Sequence, residues 1–366
     1  MTAADVRVPF LSLLPGEDAE AVRGAVARVI DRGWFILGPE LEAFEHEFAA
    51  AAGASHAVGV NTGTDAIALL LRGLGIGPGD EVITAPLSAA YTALAVMMAG
   101  ARPVFVDIDP ERHTIDPAQI EAAITPRTAA IMPVHLYGQA ADMTAIAAIA
   151  ARHGLAIVED AAQAHLATCA GQPVGAFGAG AAFSFYPTKN LGALGDGGAI
   201  TTSDAQLAAR LKRLRNGGQQ VTYQHDEFGV NSRLDEMQAA ILRERLQRLP
   251  RWTDQRRALA ARYRTGLAGA AVSVPREFDA GHVYHLFVVR TAAREALRAH
   301  LGGLGVQTLV HYPKALTQQP AIASEAPAAC PEAERAAVEV CSLPLYPSLS
   351  TDAVDAVCAA VQSFRG

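Results

Sequence analysis

Between His56 and Glu159 short apolar runs alternate with Ala-rich stretches of helical period, and this alternation confines the chain to an α/β architecture. The runs at 56–60, 81–85, 103–106, 129–133 and 155–159 read as strands, with helices at 64–74, 89–99 and 143–152 filling gaps between them. Strands linked through helices lie parallel, so the pattern predicts a mostly parallel sheet covered by helices on both faces. Two more apolar runs, 181–185 and 199–202, flank a Gly-rich turn. Residues 17–52 have a helical pattern broken by Leu37-Gly38-Pro39, while 234–249 and 252–267 read as long helices parted at Pro250. Beyond about residue 271 the texture changes to a strand at 283–290, a helix at 294–301, a Pro-rich loop and a closing helix at 351–364. A chain of 366 residues exceeds the usual single core. The expected division is a large α/β domain over 1–250 and a smaller C-terminal α+β domain over 251–366.

The formal charge of −7 supplies no basic field for nucleic acid or anionic lipid, so an anionic substrate must be held by local groups. Cys169, Cys330, Cys341 and Cys358 are scattered without a CxxC pair, which points away from a zinc site or a disulfide framework. The greasy stretch at 91–100 is too short to span a bilayer, and no signal-peptide pattern follows Met1; a cytoplasmic protein is expected. The cations are lopsided, with 27 arginines against three lysines, Lys189, Lys212 and Lys314. An amine can lose its proton and form an imine, which a guanidinium cannot.

Lys189 follows a strand-like run in Ser184-Phe185-Tyr186-Pro187-Thr188-Lys189-Asn190-Leu191-Gly192, with Gly195-Asp196-Gly197-Gly198 beyond. Burial among small and apolar residues lowers an amine's pKa and favours the neutral nucleophile that makes a Schiff base. Lys212, on an arginine-studded helix, reads as an ordinary surface lysine. Asp160 stands at the carboxyl end of a buried strand, where parallel sheets bind ligands, although a helix cap accounts for it equally well. Gln163 follows a short turn later. In Asn61-Thr62-Gly63-Thr64-Asp65-Ala66 a strand opens into a helix whose free N–H groups suit a phosphate, but ordinary helix starts use the same residues. Dinucleotide and P-loop glycine patterns are absent. His282 and His285 have HxxH spacing, yet on the expected strand they face opposite sides, so no metal site is expected. The Arg-rich run at 243–264 reads as the solvated face of two helices.

A phosphate turn, then Asp-x-x-Gln, then Ser-x-x-x-x-Lys are the parts that a pyridoxal 5′-phosphate (PLP) site requires. Together with Gly38-Pro39-Glu40, Pro133-Val134-His135-Leu136-Tyr137-Gly138-Gln139, Asn231-Ser232-Arg233-Leu234-Asp235-Glu236 and His311-Tyr312-Pro313, they make the chain resemble the DegT/DnrJ/EryC1/StrS family of sugar aminotransferases nearly end to end. That family has PLP fold type I. The resemblance implies that Lys189 binds PLP as a Schiff base and shuttles the proton, that Asp160 pairs with the pyridine nitrogen, and that Gln163 lies near the ring oxygen. It further implies that the backbone at Gly63 and Thr64 and the hydroxyl of Ser184 bind the phosphate. Asn231 would reach that phosphate from a neighbouring subunit across a homodimer interface. Two features depart from the family pattern. Ser88-Ala89-Ala90-Tyr91-Thr92 places Ala where members often stack an aromatic ring on the cofactor, and Leu166 stands where Gly is usual. Lys189, in place of the His of related sugar dehydratases, favours transamination. The expected reaction is ping-pong transfer from glutamate to a keto nucleotide-linked sugar. A dTDP-3-keto-6-deoxyhexose is favoured over a 4-keto sugar or a keto-inositol, and a sugar dehydratase is the alternative reaction.

Overall fold

The computed structural model describes residues 6–221, 223–323 and 329–365. Seven strands form the central sheet: β1 (His56–Val60), β2 (Glu81–Thr84), β3 (Arg102–Phe105), β4 (Thr128–Met132), β5 (Ala156–Asp160), β6 (Gly180–Ser184) and β7 (Gly198–Thr202). Their order is β1-β7-β6-β5-β4-β2-β3. All run parallel except β7, which is antiparallel to both β1 and β6. Each of the seven apolar runs between residues 56 and 202 becomes a strand, and successive residues feed opposite layers. Ile83, Ile157 and Phe183 join Phe44 and Phe48 of helix α2 (Pro39–Ala51), which follows helix α1 (Ala19–Arg32), in one core. Val82, Val158 and Ala182 join Leu69, Leu70 and Leu71 of helix α3 (Gly63–Gly73) in the other.

Helices Glu236–Leu246 and Leu249–Gly266 confirm the long helical stretch but move its break. The chain changes helix at Gln247 and Arg248, and Pro250 lies in the first turn of the second helix, where no N–H donor is needed. Leu259, Ala260 and Tyr263 of that helix pack with Phe287, Leu297, Leu301 and Val357 in a core of their own, over the antiparallel pair Phe287–Arg290 and Val340–Leu343. The strand expected at 283–290 begins only at Phe287. Residues before it bond elsewhere: Val283 N donates to Gly138 O at 2.9 Å and Leu286 N to Tyr137 O at 3.3 Å. His282 and His285 therefore do not alternate across a strand. Both are buried, with the His282 ring stacked 3.8 Å from that of Tyr284. None of the described helices is long and apolar enough to cross a membrane.

Glu236 explains two of the family strings at once. Its carboxylate accepts from the backbone N–H groups of Gly38, Glu40 and Leu41 at 3.0, 2.9 and 2.9 Å, capping α2 from another helix. A Cβ at Gly38 would lie 2.7 Å from Glu236 Oε2 and displace this carboxylate from its cap. Glu236→Gln turns acceptor lone pairs into donors that face donors, so we expect a loss of about 2–3 kcal/mol. Urea unfolding checks this; an unchanged midpoint would remove the cap from the stability account.

Candidate active site

Strands β1, β5 and β6 point the same way, so their carboxyl ends share one edge of the sheet. At the end of β1, Thr62 Oγ1 accepts from Asp65 N at 3.0 Å and caps α3. The N–H groups of Gly63 and Thr64 are then left as first-turn donors without helical acceptors. At the end of β6, Ser184 packs against Gly63 so closely that a Cβ on Gly63 would meet Ser184 Cβ at 2.8 Å. A hydroxyl and the positive end of a helix dipole thus face one small space, an arrangement suited to a phosphate. Ser232 Oγ accepts from Asn61 N at 3.0 Å and donates to Asp65 Oδ2 at 2.8 Å, which holds its neighbour Asn231 beside this turn. Asn231 itself is exposed.

Asp160 ends β5, and no helix follows it, so the capping alternative lapses. Its Oδ2 accepts from Thr92 Oγ1 at 2.8 Å, and Thr92 shares a 2.7 Å hydroxyl pair with Ser88. Nothing in the local pattern of 88–92 points to this support, because its partner lies 68 residues further along the chain. Ala89 occupies the N-cap position of the helix Ala90–Met98 without a side-chain cap bond, and Tyr91 is 64% exposed. Gln163 is fixed at both ends: Oε1 accepts from Tyr137 N at 2.7 Å, and Nε2 donates to Tyr312 Oη at 3.0 Å. One amide N–H remains for a ligand. The Tyr312 phenol is pushed up to about 12 by burial and by the charge of Asp160. Tyr137 Oη donates to His311 O, so the strings around His135 and His311 converge on Gln163. His135 Nδ1 accepts from Ala141 N at 3.1 Å, which puts its proton on Nε2, facing Glu159 Oε2 at 3.1 Å. That pair is scaffolding beneath the site.

Lys189 lies in the β6–β7 connection, half-buried. Surrounding protein desolvates its ammonium and lowers the pKa to about 8, while the carboxylate of Asp160 opposes the shift. Three histidines close to it are kept neutral, chiefly by burial and further by the lysine's own charge. His165 falls to about 3, His311 to about 4, and His285 well below its usual value. Lys212 behaves as read, half-exposed and 3.3 Å from Glu45 Oε2, and Lys314 is exposed. Leu166, at the usual Gly position, has φ 64°. That left-handed conformation explains why Gly is the family norm, at a cost of roughly 1 kcal/mol to a side chain.

A profile of the DegT/DnrJ/EryC1/StrS aminotransferase family matches residues 17–362. The dTDP-3-amino-3,4,6-trideoxy-α-D-glucose transaminase of Streptomyces venezuelae is 53% identical, over 94% of this chain and 92% of its own length. A crystal structure of S. venezuelae DesV in complex with a ketimine intermediate superposes with a TM-score of 0.95 at 52% identity, covering 98% of each chain. The structure of NtdA from Bacillus subtilis with bound cofactor PMP gives a TM-score of 0.91 at 35% identity, covering 97% of this chain and 84% of the other. With the family profile, the curated relative and the solved structures in agreement nearly end to end, the chain belongs to the DegT/DnrJ/EryC1/StrS aminotransferase family, whose members depend on PLP.

Proposed function

We propose that this aminotransferase carries an amino group from glutamate to the keto carbon of a dTDP-3-keto-6-deoxyhexose. The carrying observation is one sheet edge that gathers a readily deprotonated lysine, a carboxylate and a phosphate-suited helix start. The nucleotide and the 3-position rest on the named activity of the 53% identical relative. Gly63 and Thr64 N–H groups with Ser184 would hold the PLP phosphate, Asp160 its pyridine nitrogen and Gln163 its ring oxygen. The fit is supported by the close Gly63–Ser184 approach and by the spare Gln163 N–H. When bound, PLP supplies an electron sink that lets an amine pass between two carbons.

The chain's own residues do the remaining work. Lys189 Nζ is lowered enough to be partly neutral near pH 7, so it can act as nucleophile and take and return a proton. Thr92 holds the Asp160 carboxylate in place, and Tyr137 and Tyr312 hold the Gln163 amide in one orientation. Asn231, exposed beside the phosphate turn, would serve the site of a second subunit in a homodimer. The large unit would span 1–250 and the smaller 251–366, and the enzyme would act in the cytoplasm.

The test mixes the PLP-loaded protein with glutamate and then with the 3-keto or the matching 4-keto nucleotide sugar. Mass spectrometry should find the 3-amino sugar, and sedimentation of the active sample should show a dimer. Amination of the 4-keto sugar alone would overturn the positional assignment, and a fully active monomer would overturn the role of Asn231.

A further inference from the structure

A cavity of about 250 Å³ lies between the N-terminal segment, the helix Leu249–Gly266 and the loop carrying Lys189, which forms part of its wall. The charges in that wall do not balance. Asp18 is taken up by Arg245, Nε to Oδ2 at 2.8 Å, and Glu17 by Arg251 and by Trp252 Nε1 at 2.6 Å. Arg256 has no such partner. It is 4% exposed, and its Nη1 is shared among the carbonyls of Tyr284, His285 and Leu345 at 3.2, 3.4 and 3.1 Å. Among the described residues its Nε has no hydrogen-bond partner and no carboxylate lies within ion-pair distance.

A buried guanidinium offered only carbonyl dipoles is costly, because neither its charge nor its planar fork of donors is matched. Burial accordingly lowers its pKa to about 10. A carboxylate would match both charge and fork. The volume falls below the roughly 300–1,000 Å³ typical of pockets for drug-sized ligands, so a small acid suits it better than a nucleotide-linked sugar. Lys189, the residue to which an amino-acid donor must come, also lines this wall.

We propose that this cavity receives a carboxylate of the donor amino acid, and of the 2-oxo acid it leaves as, with Arg256 as the counter-charge. The assignment rests on the transamination reading above. Calorimetric titration of 2-oxoglutarate into the cofactor-free and the PLP-loaded protein tests it without requiring turnover. Binding should weaken at least tenfold in Arg256→Gln. Because Arg256 also bonds three carbonyls, a second variant guards against a folding artefact. Ser348→Glu leaves Arg256 untouched and places a negative charge at the exposed edge of the same wall, and should weaken binding comparably. Unaltered affinity in both variants, or no binding by the wild type, would overturn the proposal. Oxoglutarate binding that depends on Arg256 supports it even if no sugar is aminated, so the two readings fail separately.

Discussion

Lys189→Ala is expected to cut turnover by about three orders of magnitude or more, since nucleophile and proton carrier disappear together. Borohydride treatment of the PLP-loaded protein should mass-tag Lys189 in the wild type and nothing in the variant. The wild type should also show an unusual pH dependence. A lowered pKa means that the amine gains nucleophilicity as pH rises through about 8, where an ordinary lysine would need about 10.5. Below 8, the rate at which cofactor-free protein captures PLP should fall by about tenfold per pH unit as the ammonium accumulates. A tag surviving in Lys189→Ala, or a capture midpoint near 10.5, would remove the central assignment.

Asp160→Asn should lower turnover by about 10²–10⁴. The amide keeps the shape, and its oxygen can still accept from Thr92, so folding should survive. What it lacks is the negative charge that keeps a proton on a pyridine nitrogen. The same charge raises the Lys189 pKa against the larger effect of burial. Removing it should therefore move the capture midpoint below 8, not above. Turnover within a few-fold of wild type, or a midpoint shifted upward, would show that Asp160 does not face the amine electrostatically.

Much of this was legible in the chain itself. Every apolar run that reads as a strand between 56 and 202 enters the sheet, because a short run of buried apolar residues leaves a local signature that needs no partner to be seen. Lys189 stood out in an Arg-rich chain, and Asp160, Gln163, Ser184, Gly63 and Thr64 stood out by their order. The supports did not. Thr92 and Ser88 reach Asp160 from 68 residues away or more, and Tyr312 meets Gln163 across 149. Pairings of that kind carry no spacing rule. The strand expected before Phe287 failed for a similar reason: the β-favouring residues of 283–286 satisfy their backbone against Tyr137 and Gly138 instead of a neighbouring strand.

The sequence by itself determined the element types, the mostly parallel character of the sheet and the candidate amine, because propensity, apolar period and side-chain chemistry are properties of near neighbours along the chain. Tertiary structure alone decided the strand order, the lowered pKa of Lys189, the anchoring of Gln163 and the burial of Arg256 against backbone carbonyls. Each of those depends on which groups, remote in sequence, exclude water or present a charge at a few ångströms, and the strength of an electrostatic or hydrogen-bonded contact is set by that local distance and burial.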